Sequence, residues 1–305
     1  MSQTLTFTIP IDHAGKRLDQ SLAELLPDYS RSRIQAWCDD GLVRVDGKPA
    51  SRKHKLWGGE GVEVEPQAHP SEQPYQAEAI ALDIVYEDAD VLVLNKPAGL
   101  VTHPGAGNWE GTLLNALLHH APQLAEVPRA GIVHRLDKDT SGLMVVAKTL
   151  TAQTKLVREL QARTVKRTYW AVATGELAQD AGEIEVPIGR HPTQRVKMAV
   201  VESGKPALTR YRVLKRYPGA TWVECQLATG RTHQIRVHLA HLGHPLLGDL
   251  VYAGHKRCRW DFHRQALHAV RLGFDHPASG EAVAFEAPPP EDFKQLLEAL
   301  DAAAE

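Results

Sequence analysis

The sequence predicts an α+β protein in two parts, a small domain and a much larger one joined by a linker. Three observations carry that expectation. Residues 16–65 fit two helical patterns and two strand patterns into a short span. Residues 66–81 hold three prolines, several small residues and little hydrophobic period, as a linker does. Beyond them, short apolar runs of strand type interleave with amphipathic helical stretches, and a chain of 305 residues can bury a large core there. The expected division is a strand or extension over 1–15, a small domain over 16–65, a linker over 66–81 and a large domain over 82–305.

The N-terminal residues alternate like a strand and lack the apolar core of a signal peptide. Leu18, Leu22 and Leu25 then recur at helical spacing, and Pro27-Asp28 ends that helix. Ser30 is placed to cap a second helix over 31–39, with Ile34 and Trp37 on its inner face and Gly41 after its end. Strands follow at 42–45 and 62–65, with Asp46-Gly47 as a turn. Arg31, Arg33, Arg44, Lys48, Arg52, Lys53 and Lys55 stand against Asp39, Asp40 and Asp46. That excess suits either a solvated face or a surface for phosphates.

In the large domain, 82–85 and 91–95 read as strands joined by an acidic turn, and 112–120 as a short amphipathic helix. Residues 143–147 are a branched apolar run, a buried strand. Helices are expected over 151–162 and 291–300, a strand after Arg163, and a hairpin about 190–198. Immediately before the buried strand, His134, Arg135, Asp137, Lys138 and Asp139 crowd together, and Thr140-Ser141-Gly142 turns the chain into it. A polar cluster at the mouth of a rigid strand is a good place for a fixed catalytic group. Spacing alone does not choose between the carboxylates of Asp137 and Asp139.

Bulk properties narrow the class. Composition is that of a globular protein, with 43% hydrophobic and 24% charged residues, and the formal net charge of −2 does not advertise a nucleic-acid binder. No apolar run approaches the roughly 20 residues that span a bilayer. Cys38, Cys225 and Cys258 are odd in number and far apart, which suits neither a disulfide framework nor a zinc site and fits a reduced, cytoplasmic setting.

The words around the cluster are specific. HRLDKDTSG followed by an apolar strand ending in Ala-Lys resembles the central motif of the RluA-type pseudouridine synthases. Lys96-Pro97-Ala98-Gly99-Leu100 resembles that family's first motif, Arg167-Thr168-Tyr169 its second, and GRTHQIRVHLAHLGH over 230–244 its third. The order of 17–48 resembles the S4 RNA-binding module. The closing segment of the family reads Gly-Asp-x-x-Tyr-Gly, whereas here Ala253 follows Tyr252, so a small local backbone change is expected.

The resemblance implies a catalytic domain built on an extended mixed, mostly antiparallel sheet flanked by helices, behind a small S4-like domain. It implies Asp137 as the catalytic aspartate, Arg236 as its partner and Tyr169 against the target base. A guanidinium can hold both oxygens of a carboxylate, which lysine cannot. Arg135 would enter the gap left in the RNA, and His134 would support the loop or the RNA. Arg31, Arg33, Arg52, Lys53, Arg167, Arg190, Arg195 and Arg231 would contact RNA.

The implied reaction breaks the bond from ribose C1′ to N1 of uracil and joins C1′ to C5. It has no redox change and no leaving group, so no cofactor or metal is expected. The carboxylate either attacks C1′ or removes a ribose proton to open a glycal route, and the sequence leaves both open. The implied partner is ribosomal RNA of the large subunit, bound by a monomer. Two other readings remain. His233, His238, His241 and His244 have spacings that would suit a metal-dependent hydrolase, though Arg231 and Arg236 among them would repel a cation. A non-catalytic RNA-binding or assembly factor on the same fold is the other.

Overall fold

A computed structural model describes residues 4–67, 75–105, 107–194, 196–253 and 260–304. The chain divides between residues 74 and 75 into two compact units.

The small unit comprises β1 (Leu5–Thr8), α1 (Leu18–Leu25), α2 (Arg31–Asp39), β2 (Val43–Val45), β3 (Lys48–Pro49) and β4 (Gly61–Val64). The strands form an antiparallel sheet in the order β1-β4-β2-β3. Its core joins the inward faces of both elements: Leu18, Leu22, Ile34 and Trp37 from the helices meet Val43, Val45, Val62 and Val64 from alternate strand positions. Ser30 caps α2 as expected, its hydroxyl accepting from the Arg33 N–H at 3.3 Å. The expected separation of 1–15 from this domain is not what the backbone does. Leu5 to Thr8 pair with Val64 to Gly61, and the Ile9 N–H donates to the Glu60 carbonyl, because an alternating segment completes a sheet that otherwise exposes an edge.

The expected linker also ends early. Residues 68–74 lie outside the described residues, but the chain is tied down again from Gln76. Asn115 Nδ2 donates to the Gln76 carbonyl at 2.8 Å, the Glu78 N–H donates to the Asn115 carbonyl at 3.0 Å, and the Glu78 carboxylate accepts from the Gly111 N–H.

The large unit runs β5 (Ile84–Glu87), β6 (Val91–Lys96), α3 (Leu113–His120), β7 (Ser141–Ala147), α4 (Leu150–Ala162), β8 (Lys166–Thr174), β9 (Ala181–Glu185), β10 (Ile188–Arg190) and β11 (Met198–Val200). It continues with β12 (Leu208–Tyr217), β13 (Ala220–Leu227), α5 (Gln234–His241), β14 (Leu267–Asp275), β15 (Ala282–Glu286) and α6 (Glu291–Ala302). One long sheet orders its strands β5-β6-β7-β14-β8-β13-β12-β9, with β15 on β14, and β10 and β11 form a separate hairpin. Among the described strands only β7 and β14 pair in parallel. The sheet is therefore mixed and mostly antiparallel, flanked by helices.

Period-two alternation explains why β6 and β7 are buried on both faces. Leu92, Leu94, Met144 and Val146 pack with α3 on one side. Val91, Val93, Leu143, Val145 and Ala147 pack with Ala152 and Leu156 of α4 on the other. Farther along, α6 lays Phe293, Leu296 and Leu300 against Val172 of β8 and Tyr217 of β12.

Candidate active site

Asp137 lies on the loop that enters β7, and the loop is fixed through its backbone. Thr102 Oγ1 donates to the Leu136 carbonyl at 2.7 Å. The Lys138 carbonyl accepts from Lys96 Nζ and from the Gly99 N–H, both at 2.9 Å. The Asp139 carbonyl accepts from Arg264 Nη1 at 3.0 Å, and the Asp137 carbonyl from the Thr140 N–H at 3.1 Å. Lys96 is fully buried and also donates to the carbonyls of Pro97 and Leu100, so the Lys-Pro-Ala-Gly-Leu stretch works as a clamp on the neighbouring loop.

The Thr-Ser-Gly turn has a second purpose beside reversing the chain. Thr140 Oγ1 accepts from Gln265 Nε2 at 3.2 Å, and Ser141 Oγ lies 3.0 Å from His268 Nδ1. Gly142 has φ +116°, and a Cβ there would stand 2.3 Å from the Ala269 carbonyl oxygen. Only glycine permits β14 to approach β7 so closely.

The charges form a chain. Arg236, on the first turn of α5, donates from Nη1 to Asp137 Oδ2 at 3.0 Å. Its Nε and Nη2 donate to Asp249 Oδ2 and Oδ1 at 2.7 and 2.9 Å. The two-pronged contact expected for Asp137 thus belongs to Asp249, whose side chain has no exposed surface, while that of Asp137 is 15% exposed. Asp249 can claim the fork because the N–H groups of Val251 and Tyr252 also point at its Oδ1. Arg236 keeps one donor for the more open carboxylate. Burial opposes the guanidinium charge, but Asp249 and Asp137 outweigh it and push its pKa above the ordinary arginine value.

His233 and Tyr252 complete this wall. His233 has φ +58° at the start of α5, and its Nε2 is 3.9 Å from Asp137 Oδ1. The Tyr252 oxygen accepts from the Met198 N–H at 3.0 Å and lies 2.8 Å from His233 Nδ1. The Tyr252 hydroxyl thus joins the Met198 backbone to the His233 ring, whose other nitrogen faces Asp137. Burial lowers the His233 pKa, the Asp137 charge notwithstanding. The Arg236 guanidinium also lies over the Tyr252 ring at 5.1 Å.

Asp137 stands between two cavities. One, about 550 Å³, is bounded by Tyr169, Arg167, Arg135, Arg231, His134 and the 227–232 turn among others. The second, about 370 Å³, lies on the other side, against Arg236, Leu250 and Arg264. Tyr169 is buried on β8, opposite Cys225 and Ala269, and burial raises its phenol pKa. Arg135 is exposed and borders both spaces. Arg231 donates from Nε to the Pro206 carbonyl. His134 commits Nε2 to the Val145 N–H at 3.1 Å, where β7 has left its neighbour β14, and burial pushes its pKa down to about 3. It is a neutral prop of the strand rather than a cationic RNA contact. Asp139 carries no ion pair among the described residues, whereas Asp137 is joined to Arg236.

Other expected contacts lie away from this centre. Arg190 is at the end of β10, exposed, and borders neither cavity; Arg195 lies outside the described residues. In the small unit, Arg31 is spent on Asp19, a fully buried carboxylate of α1 that also holds Arg17 and Gln35. Arg33 lies over the rings of Tyr29 and Trp37 at 5.0 and 5.3 Å and donates to the Gln67 carbonyl. Both arginines have structural work that the basic pattern did not reveal. Arg52 is 3.4 Å from Asp39, and Lys53 is exposed.

A family profile described as RNA pseudouridylate synthase matches residues 90–241, and one described as S4 domain matches residues 16–60. The ribosomal large subunit pseudouridine synthase D of Nitrosomonas europaea is 54% identical over 306 residues, 97% of this chain and 88% of the relative. The chain belongs to the RNA pseudouridylate synthases. A second member, the synthase D of Neisseria meningitidis serogroup A, is 57% identical over 305 residues, 96% of this chain and 81% of that one. The solved human RNA pseudouridylate synthase domain containing 1 superposes with a TM-score of 0.57 at 30% identity, over 74% of this chain and 97% of its own.

In this pseudouridylate synthase the histidines of 233–244 do not converge on a metal site. His238 faces Thr209 Oγ1 and the Val186 carbonyl, His244 faces the Thr174 carbonyl, and His233 faces Tyr252. Asp249, His233, Tyr252, Lys96 and Arg264 stand in segments the sequence pointed to, but it gave none of them a place beside Asp137. The Gly-Asp-x-x-Tyr segment was the available signal for Asp249 and Tyr252. Its departure at Ala253 leaves the turn intact, the Ala253 N–H donating to the Asp249 carbonyl at 3.0 Å; residue 254 is outside the described residues.

Proposed function

We propose that this pseudouridylate synthase converts uridine to pseudouridine in large-subunit ribosomal RNA, at several uridines of the helix 69 stem-loop, with Asp137 as its catalytic carboxylate. The observation that carries the proposal is the Asp137–Arg236–Asp249 chain at the junction of two cavities, with Tyr169 bordering the larger one. The names of the two synthase D relatives support the substrate.

Arg236 pairs with Asp137 through one oxygen and leaves the other to meet ribose. The free oxygen either attacks C1′ as the C1′–N1 bond breaks or takes a ribose proton. The released uracil turns and C5 bonds to C1′, as the Asp137–C1′ bond breaks on the first route or as the ribose proton returns on the second; the C5 proton is then lost as N1 gains one, so nothing is oxidised or reduced. Tyr169 lies along the everted base, and Arg135 fills the space it vacates; extrusion costs a few kcal/mol. Arg52 and Lys53 of the S4 unit add phosphate contacts. The protein acts in the cytoplasm as a monomer, without cofactor or metal.

The test is tritium release from 5-labelled uridine in ribosomal RNA, joined to pseudouridine mapping in a strain that lacks the gene. Binding without release would favour a non-catalytic factor, and an unchanged helix 69 would move the substrate elsewhere.

A further inference from the structure

Arg167 sits on β8 two residues before Tyr169, on the same face of the strand. It is 7% exposed, and its Nε has no hydrogen-bond partner. Among the described residues its guanidinium makes no ion pair at all. A buried charge is costly unless paired, and burial here lowers the arginine pKa. The chain leaves room for the group, since a Cβ on Gly230 would stand 2.7 Å from Nη1. Nothing among the described residues neutralises it. Among the described residues Asp137 is the one carboxylate on the wall of the 550 Å³ cavity, and it is engaged by Arg236. Arg129, Arg135 and Arg231 border the same space and add to the positive potential.

We infer that Arg167 is the floor of an anion subsite that receives one backbone phosphate of the RNA strand beside the everted uridine. The inference builds on the RNA-isomerase reading above. A guanidinium fork fits phosphate oxygens in two-point geometry and stays charged at neutral pH. Two residues of strand separate Arg167 from Tyr169 by roughly 7 Å, a span that a nucleotide bridges between its base and a neighbouring phosphate. The missing partner of a charge on the substrate-facing wall is therefore a charge the substrate brings.

The experiment uses the full-length protein and the shortest ribosomal RNA fragment that the wild type binds and turns over. Single linkages around the target uridine are replaced in turn by uncharged methylphosphonates. One replacement should weaken wild-type binding about 10- to 100-fold, the worth of a charge-assisted contact. The same replacement should cost Arg167→Met nothing further, because the two changes remove one interaction. Arg167→Lys should recover part of the loss. In the absence of RNA, Arg167→Met should melt at a higher temperature than wild type, since it removes an unpaired buried charge. A structural arginine would give the opposite shift. Additive losses at every linkage, or a lower melting temperature for Arg167→Met, would overturn the subsite. Binding is the readout for the subsite and turnover of the unmodified fragment is the readout for the isomerase reading, so the two fail separately.

Discussion

Replacing Asp249 by asparagine separates what holds Arg236 from what reacts. Asp249 accepts four N–H bonds, from Arg236 Nε and Nη2 and from the N–H groups of Val251 and Tyr252. Asparagine keeps the outline but removes the charge and turns one acceptor into a donor. Its better orientation sets the new NH₂ against Arg236 Nε–H, keeping three of the bonds. Breaking a buried ion pair by removing one partner costs about 3–5 kcal/mol, and the three retained bonds place this variant near about 3 kcal/mol. At roughly 2–4 °C per kcal/mol for a domain of this size, the melting temperature should fall by about 6–12 °C. Arg236, no longer gripped, loses the orientation that presents Nη1 to Asp137, and a misplacement of about 1 Å costs about 100-fold in rate. Differential scanning fluorimetry and single-turnover tritium release measure the two effects. Wild-type melting with a wild-type rate would show that Asp249 is not what positions Arg236.

Asp137→Asn should abolish turnover while shifting the melting temperature little and leaving RNA binding intact, as that carboxylate makes one short contact and is partly open; retained tritium release would refute its role. Gly142→Ala forces a Cβ into the Ala269 carbonyl at φ +116° and should cost about 2–4 kcal/mol, read as a lower melting temperature. Burial pushes the Lys96 pKa down to about 7, below its unfolded value, so the unfolded chain binds the extra proton and Lys96 makes stability rise as pH climbs from about 7 to about 10. Over that range the amine loses one of three donors and with it a carbonyl of the Asp137 clamp, so turnover should fall while stability rises. Lys96→Met flattening neither profile would refute this. In the small unit, Arg52→Ala and Lys53→Ala should each reduce the salt slope of RNA binding by roughly one unit. Arg31→Ala should leave that slope unchanged and destabilise the unit, because it strips a partner from buried Asp19.

Local pattern was enough wherever one element carries its own signal. Leucine spacing and Ser30 mark α1 and α2, and the branched run after Gly142 marks β7. The long strands β12, β13 and β14 were not read, since their faces are decided by distant partners and their polar positions interrupt the alternation. The same limit governs the site. Asp137, Tyr169 and Arg236 stand in words that resemble a family, whereas Asp249 became visible only when α5 and the following turn brought it to Arg236. Arg31 and Arg33 show the converse. A run of basic residues looks like a surface for phosphate until the acid and rings that occupy two of them are seen, and those lie on neighbouring turns in space.

The docking of Thr140, Ser141 and Gly142 on residues 265–269 bears on how the enzyme is born. β14 is inserted between β7 and β8, although it is made long after both. A nascent chain that has reached residue 250 already carries Asp137, Tyr169, Arg236 and Asp249. It lacks the strand that fixes the loop beneath the carboxylate, and β7 and β8 have no bridge between them. Pairings this distant in sequence form late, after the long intervening segment has closed. A protein whose substrate is RNA is synthesised on a particle made largely of RNA, and this order of assembly leaves the loop of Asp137 without its support until residues 265–269 have emerged.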